Sequence, residues 1–208
     1  KAAWTPLRQA KFLVRHTISD LLEGVMFSSY FSSMDMMEAL NGTVGNKASY
    51  MDFGYFGVLS AEFDENGVAT GQYTPKPSYR ALQTLASVFR EEFTLAELPI
   101  RFLGGESRRI LRQDESGNDL LYGGFRKPNG SSAFTFWKPA ELLTTSFEST
   151  VSLQTAALPG EIRLIDLLDG GIYELPKEMV EDDGKGFRRL VNIPVRDYPL
   201  LLAFGDFE

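Results

Sequence analysis

Two adjoining segments constrain the fold of this chain more than any other feature. In the first, apolar residues recur at helical spacing after Thr5-Pro6, where a capping hydroxyl precedes a proline at the first helical position. Gly24 ends this pattern, and residues 25–31 then form a continuous run of apolar and small side chains. Such a run is typical of a strand buried on both faces of a parallel sheet. A helix followed at once by this strand predicts an α/β arrangement.

The next segment, residues 34–74, has little helical periodicity and is long for a connection within a compact domain. We expect a β-hairpin inside it, with strands over residues 55–63 and 68–73. The turn between them contains Asn66-Gly67, which supplies the positive-φ residues that a tight hairpin turn requires.

Pro77 is expected to open a second helix, because proline is well suited to the first helical turn. The helical pattern ends in the charged run at residues 90–92. The residues predicted to share the apolar face of this helix are Tyr79, Leu82, Ala86 and Phe89.

Beyond Leu98-Pro99, short β-rich segments alternate with turns rich in Gly, Asn, Asp and Pro. Nine strands with regular turn signals predict an antiparallel β-sandwich. The sequence thus predicts two domains, residues 1–95 and residues 96–208. The predicted sandwich strands cover residues 100–103, 109–113, 120–126, 132–137, 149–154, 161–166, 172–174, 187–191 and 200–203.

Composition excludes several classes of function. The net charge of −7 and pI near 4.9 disfavour nucleic acid as a partner, because binding a phosphate backbone requires clustered Lys and Arg. The chain has no cysteine and one histidine, His16, which excludes Cys-ligated zinc and a multi-His metal site, and we expect no metal site. No apolar run approaches the roughly 20 residues that a membrane span requires, so we expect no membrane partner. A soluble protein is predicted, and a bacterial cytoplasmic or a secreted location both remain open.

Three motifs in the first ninety residues resemble the eighth strand, its following loop and the closing helix of clan-A (β/α)8-barrel glycoside hydrolases. They occupy residues 27–35, 53–59 and 75–82, and the resemblance is to the xylosidase and iduronidase-like retaining enzymes. Residues 161–173 and 191–202 resemble the close of the β-sandwich that packs on such barrels.

The resemblance implies an α/β fragment, the last helix-strand-helix of a TIM barrel, followed by an all-β antiparallel sandwich. Retaining glycosidases use two carboxylates about 5.5 Å apart, one as acid/base and one as nucleophile. The family carries both on earlier strands, so no catalytic residue is assigned in this chain. We therefore expect it to be inactive alone, and the resemblance implies that the intact enzyme requires no cofactor. Its expected partners are the missing N-terminal barrel portion and, through the intact enzyme, a carbohydrate substrate.

The same resemblance implies three substrate-binding residues, because side chains that follow barrel strand eight face the sugar pocket. Tyr30 and Phe31 are candidates for an aromatic platform under a sugar ring, and packing between barrel and helices is the alternative. Asp35 is a candidate for a hydrogen bond to a sugar hydroxyl. Capping of the next turn is equally consistent with its position.

A second functional class remains open, in which the chain is a non-catalytic carbohydrate-binding or structural β-sandwich module. A row of exposed aromatic side chains across one sheet would favour sugar binding by the sandwich. A buried Trp137 and an exposed apolar edge at residues 25–31 would instead favour a part of a larger enzyme.

Overall fold

The computed structural model describes residues 5–36, 56–103, 107–109, 120–139, 149–156 and 158–208. Two α-helices and thirteen strands lie within these residues. The helices are α1 (Pro6–Leu22) and α2 (Pro77–Val88). The strands are β1 (Leu59–Phe63), β2 (Ala69–Pro75), β3 (Thr94–Leu95), β4 (Ile100–Phe102), β5 (Ser107–Arg109), β6 (Leu120–Arg126), β7 (Ser132–Trp137), β8 (Ser149–Ala156), β9 (Ile162–Asp166), β10 (Ile172–Glu174), β11 (Val180–Asp182), β12 (Phe187–Val195) and β13 (Leu200–Phe204).

The strands form two large sheets and one separate hairpin. The larger sheet has the order β10-β9-β13-β7-β6-β3, and β5 also pairs with β6. The smaller sheet has the order β11-β12-β8-β4. All described pairings are antiparallel except that of β5 with β6. The hairpin joins β1 to β2 around Gly67, which confirms the predicted hairpin. Of the Asn66-Gly67 pair only Gly67 adopts a positive φ, +77°, so the expectation of positive φ at both turn residues is wrong for Asn66.

The larger sheet is the middle layer of three. Helices α1 and α2 pack on one of its faces, and the smaller sheet packs on the other. Strand β7 shows the consequence, because Ala133 and Trp137 belong to the core beneath the helices whereas Phe134 and Phe136 belong to the core between the sheets. Every residue of β7 and β13 is therefore buried, although the side chains alternate between faces.

Local signals explain where the helices begin. The Thr5 side-chain oxygen accepts a hydrogen bond from the Arg8 backbone N–H at 3.2 Å, and Pro6 and Pro77 occupy the first turns of α1 and α2. Helix α1 ends just before Gly24, which adopts φ +72°.

The predicted buried face of α2 is partly wrong. Leu82 is 37% exposed, while Tyr79 and Phe89 are partly buried against the core beneath the helices. Packing against α1 and the larger sheet buries a different row of α2 side chains, adjacent to the predicted one. The buried residues of α2 are Ser78, Ala81, Leu85 and Val88.

The predicted fold class, a TIM-barrel fragment followed by a sandwich, is wrong. Residues 25–31 form no strand, and the side chains of Val25, Met26 and Phe27 are 43%, 101% and 82% exposed. A strand inside a parallel sheet is hydrogen-bonded to a neighbour on each side, and the described residues place no such neighbour beside this run. The two helices instead pack on an antiparallel sheet, so the described molecule is a mainly β structure.

Most predicted sandwich strands nevertheless occur at or within a few residues of their expected positions. Residues 110–113 of one predicted strand lie outside the described residues. The division into domains at residue 95 stays a prediction. The core beneath the helices joins residues from both sides of that position, such as Leu13 and Trp137.

Candidate functional site

The loop that carries the predicted sugar-binding residues is joined to the start of β1 by a short parallel ladder. Ser32 N–H donates to the Phe56 carbonyl at 3.3 Å, and Val58 N–H donates back to the Ser32 carbonyl at 3.1 Å. Asp35 N–H donates to the Leu59 carbonyl at 2.9 Å. This ladder fixes residues 32–35, whereas residues 25–31 precede it and lie beside α1. Residues 53–55 of the hairpin motif lie outside the described residues.

Asp35 is buried in an ion pair beneath this ladder. Its Oδ1 accepts hydrogen bonds from Lys76 Nζ at 2.5 Å and from the Gly57 backbone N–H at 3.1 Å. Both charged side chains are less than a tenth exposed. Burial raises the pKa of Asp35, and the contacts with Lys76 and Gly57 act in the opposite direction.

A second polar group, centred on Gln9 of α1, holds the same loop from the helix side. Gln9 Nε2 donates to the carbonyls of Phe56 at 2.9 Å and Gly57 at 3.2 Å. The Ser78 hydroxyl of α2 donates to Gln9 Oε1 at 3.4 Å. Tyr30 is half-buried and hydrogen-bonds Gln9, and burial raises the pKa of its hydroxyl. The polar side chains thus tie both helices to the loop.

The geometry bears differently on the three predicted binding residues. Asp35 accepts its two hydrogen bonds from Lys76 and Gly57, which lie far along the chain, so both roles that its position left open stay predictions. Tyr30 is engaged with Gln9, whereas the Phe31 ring is 57% exposed. Their assignment to sugar binding stays a prediction. No group of three or more potential metal ligands occurs within the described residues.

An exposed apolar segment, residues 25–31, lies directly before this anchored loop. Met26 and Phe27 are the most exposed large apolar side chains in the described part of the chain. The backbone of residues 26–31 makes no hydrogen bond to any other described residue. Helix α1 holds this segment through hydrogen bonds along its length. Val25 N–H donates to the Asp20 carbonyl at 2.9 Å, the Ser28 hydroxyl donates to the Asp20 carboxylate at 2.5 Å, and the Tyr30 side chain hydrogen-bonds Gln9.

The aromatic side chains of the sandwich strands occupy the core. Trp137 is 1% exposed, and Phe125 and Phe136 are fully buried. Tyr122 is partly buried, with its ring centroid 5.5 Å from that of Phe102. Trp137 therefore belongs to the core beneath the helices and not to an exposed aromatic row.

Two buried polar contacts were not found from the sequence. Lys11 Nζ of α1 lies 2.8 Å from Asp197 Oδ1, in the turn between β12 and β13, and the two residues are 3% and 0% exposed. The Tyr198 hydroxyl donates to Asp166 Oδ2 at 2.9 Å. Each contact joins residues far apart in the sequence, so no local pattern indicates either pair. These contacts attach α1 and the turn after β9 to the sandwich.

No protein-family model matches the chain, and no curated protein sequence matches it. None of the helices within the described residues is long and apolar enough to cross a membrane.

Proposed function

We propose that this chain is a non-catalytic part of a glycoside hydrolase that cleaves O-glycosidic bonds, with the catalytic carboxylates supplied from outside the chain. The observation that carries the proposal is the exposed apolar segment at residues 25–31, which overlaps at residues 27–31 with the motif that resembles such enzymes. By itself the chain is expected to turn over no substrate.

The physical argument starts from the cost of exposing this segment to water. Burying apolar surface is favourable by about 25 cal/mol per Å². Covering the exposed side chains of Met26 and Phe27 with another surface would therefore contribute favourably to the free energy of association. The unpaired backbone of residues 26–31 offers N–H and C=O groups to the same partner. The catalytic part of the enzyme is the proposed cover, and carbohydrate would be bound through it.

The alternative, a carbohydrate-binding module, receives less support from the described residues. Sugar-binding sheets present aromatic rings to solvent, whereas Trp137, Phe125 and Phe136 face the two cores. The exposed rings of Phe187 on β12 and Tyr173 on β10 belong to different sheets. These positions favour packing over a shared sugar platform.

The test is to recover the coding sequence that flanks this chain, produce the longer protein and assay it on a panel of aryl glycosides. We expect hydrolysis by the longer protein and none by the 208-residue chain. Phe27→Asp should lower the activity of the longer protein, whereas Phe187→Asp, an exposed phenylalanine on the sandwich, should not. A longer protein without glycosidase activity would overturn the proposal. Retention of the isolated chain in polysaccharide-containing native gels would support the alternative.

A further inference from the structure

Two Asn-Gly pairs in the described residues have nearly the same backbone surroundings. Asn66 and Asn129 are both exposed, and the glycines that follow them adopt φ +77° and φ +88°. In each pair the glycine N–H donates to the carbonyl three residues earlier, at 2.9 Å for Gly67 and 3.0 Å for Gly130. The two sites therefore form a matched pair in which the asparagine side chains can be compared.

The asparagine side chains differ in how they are held. Asn129 Oδ1 accepts hydrogen bonds from the Ser131 N–H at 2.9 Å and from the Ser131 hydroxyl at 2.7 Å, and its Nδ2 donates to the Asp206 carbonyl at 3.4 Å. The Asn66 side chain makes no hydrogen bond to any described residue. The Asn66 backbone N–H donates to Asp64 Oδ1 at 3.0 Å. Asn66 can therefore rotate about its side-chain bonds, whereas Asn129 is fixed.

We propose that Asn66 is a site of spontaneous deamidation and isoaspartate formation, and that Asn129 is protected from the same reaction. The Gly67 backbone nitrogen loses its proton to a base from solvent and attacks Asn66 Cγ. A new N–Cγ bond closes a five-membered succinimide, the Cγ–Nδ2 bond breaks, and Nδ2 leaves as ammonia with a proton from solvent. Water then opens the ring at either carbonyl carbon, giving aspartate or isoaspartate without any change of oxidation state.

The rotational freedom of the asparagine side chain determines which of the two sites deamidates faster, because Cγ must turn toward the following backbone nitrogen before the ring can close. Glycine at the next position leaves this approach open, since it has no Cβ. At Asn129 the same rotation would break three hydrogen bonds. At Asn66 it breaks none within the described residues.

The product would alter the β1–β2 turn. Isoaspartate adds a methylene to the backbone, and Asp64 Oδ1 holds the turn through the N–H groups of residue 66 and Val68. The new carboxylate also stands next to Asp64 and Glu65, where like charges repel. We expect the modification to loosen the hairpin turn.

The experiment is to incubate the folded chain at mildly alkaline pH and follow each Asn-Gly pair by peptide mapping with fragmentation that distinguishes isoaspartate. Aspartate and isoaspartate should accumulate at residue 66 while Asn129 stays intact. Incubation in guanidinium should bring the two rates toward equality, because unfolding frees the Asn129 side chain. Asn66→Gln should abolish the signal at residue 66.

Equal rates at the two sites in the folded chain would overturn the inference. A rate ratio that does not change on unfolding would overturn it as well, since sequence rather than structure would then set the difference. Asn41-Gly42, which lies outside the described residues, is resolved as a separate peptide in the same map.

Discussion

At the residue scale, Gly57 occupies the closest approach between two backbone segments. A Cβ on this residue would lie 2.1 Å from both the Asp35 nitrogen and the Met34 carbonyl carbon. Backbone atoms in a hydrogen-bonded ladder cannot move aside as a flexible side chain does. Gly57→Ala should therefore lower the free energy of unfolding by about 1–3 kcal/mol, as measured by urea denaturation.

Gly171→Ala is the matched control for this prediction. The atoms nearest to a Cβ there belong to the side chain of Tyr173, which is 54% exposed and can rotate away. Its free energy of unfolding should change by no more than about 0.5 kcal/mol. Equal losses in the two variants would show that the ladder at Gly57 is not the rigid contact.

Asp166 should make stability depend on pH. Its Oδ1 accepts from the Leu168 N–H at 2.9 Å and its Oδ2 from the Tyr198 hydroxyl, yet burial outweighs these contacts and raises its pKa. The folded chain then holds this proton to higher pH than the unfolded chain. The contribution of Asp166 to stability is therefore full below about pH 3.9, the unfolded pKa, and falls as pH rises through the folded pKa.

Asp166→Asn removes this titration and isolates its effect. The free energy of unfolding of the wild type minus that of the variant should decrease with rising pH across this interval, in denaturation curves collected at a series of pH values. A difference that increases with pH would mean that the fold lowers the pKa of Asp166.

For single residues, the sequence indicates hydrogen bonds between near neighbours in the chain but not those between distant residues. The contact of Asp166 with the Leu168 N–H is of the local kind, because aspartate commonly bonds the backbone two residues ahead. The roles of Asp35 remained open because its partner, Lys76, lies 41 residues away. No spacing rule relates two such positions, and only the folded chain brings them together.

At the scale of elements, helix starts and hairpin turns followed from the sequence because their signals lie within a few residues. The strand predicted at residues 25–31 did not form, and the reason is physical. An apolar run indicates that side chains favour burial, but it does not specify which strand will pair with the backbone. In the described residues the pairing begins only at Ser32.

The attachment of α1 to the sandwich should depend on the buried pair of Lys11 and Asp197. Lys11→Met removes the ammonium group that contacts the buried Asp197 carboxylate, so we expect a loss of about 3 kcal/mol in the free energy of unfolding. The double variant Lys11→Met with Asp197→Asn should recover part of this loss. A double-mutant cycle by chemical denaturation measures the coupling.

The exposed pair of Arg189 and Glu181 serves as the control for that cycle. Its nitrogen and oxygen lie 3.7 Å apart, and both side chains are more than half exposed. Arg189→Met should change the free energy of unfolding by no more than about 0.5 kcal/mol. A Lys11→Met effect of the same size would show that the buried pair does not fasten α1.

For the whole molecule, the three-layer arrangement explains an ambiguity in the sequence. Strand β7 has large apolar residues on both alternating faces, so the pattern alone did not say which face is buried. Both are, because the helices cover one side and the smaller sheet the other. The strands were predictable one by one, whereas the packing of both helices on this sheet depends on contacts between residues far apart in the sequence.

The exposed apolar segment gives a prediction for the isolated chain as a whole. Phe27 is 82% exposed and contributes little to the folded core, so Phe27→Asp should leave the free energy of unfolding within about 0.5 kcal/mol of wild type. The same substitution should reduce binding of the apolar dye ANS and self-association in analytical ultracentrifugation, because a charge interrupts the apolar surface.

Phe125→Ala is the contrasting variant, because Phe125 is fully buried where β6 packs beneath the helices. Its loss should cost about 3–5 kcal/mol in the free energy of unfolding. If Phe27→Asp destabilised the chain to a similar extent, the segment at residues 25–31 would be part of the core of the isolated chain. It would then not be a free apolar surface for a partner, and the observation on which the proposed function depends would be lost.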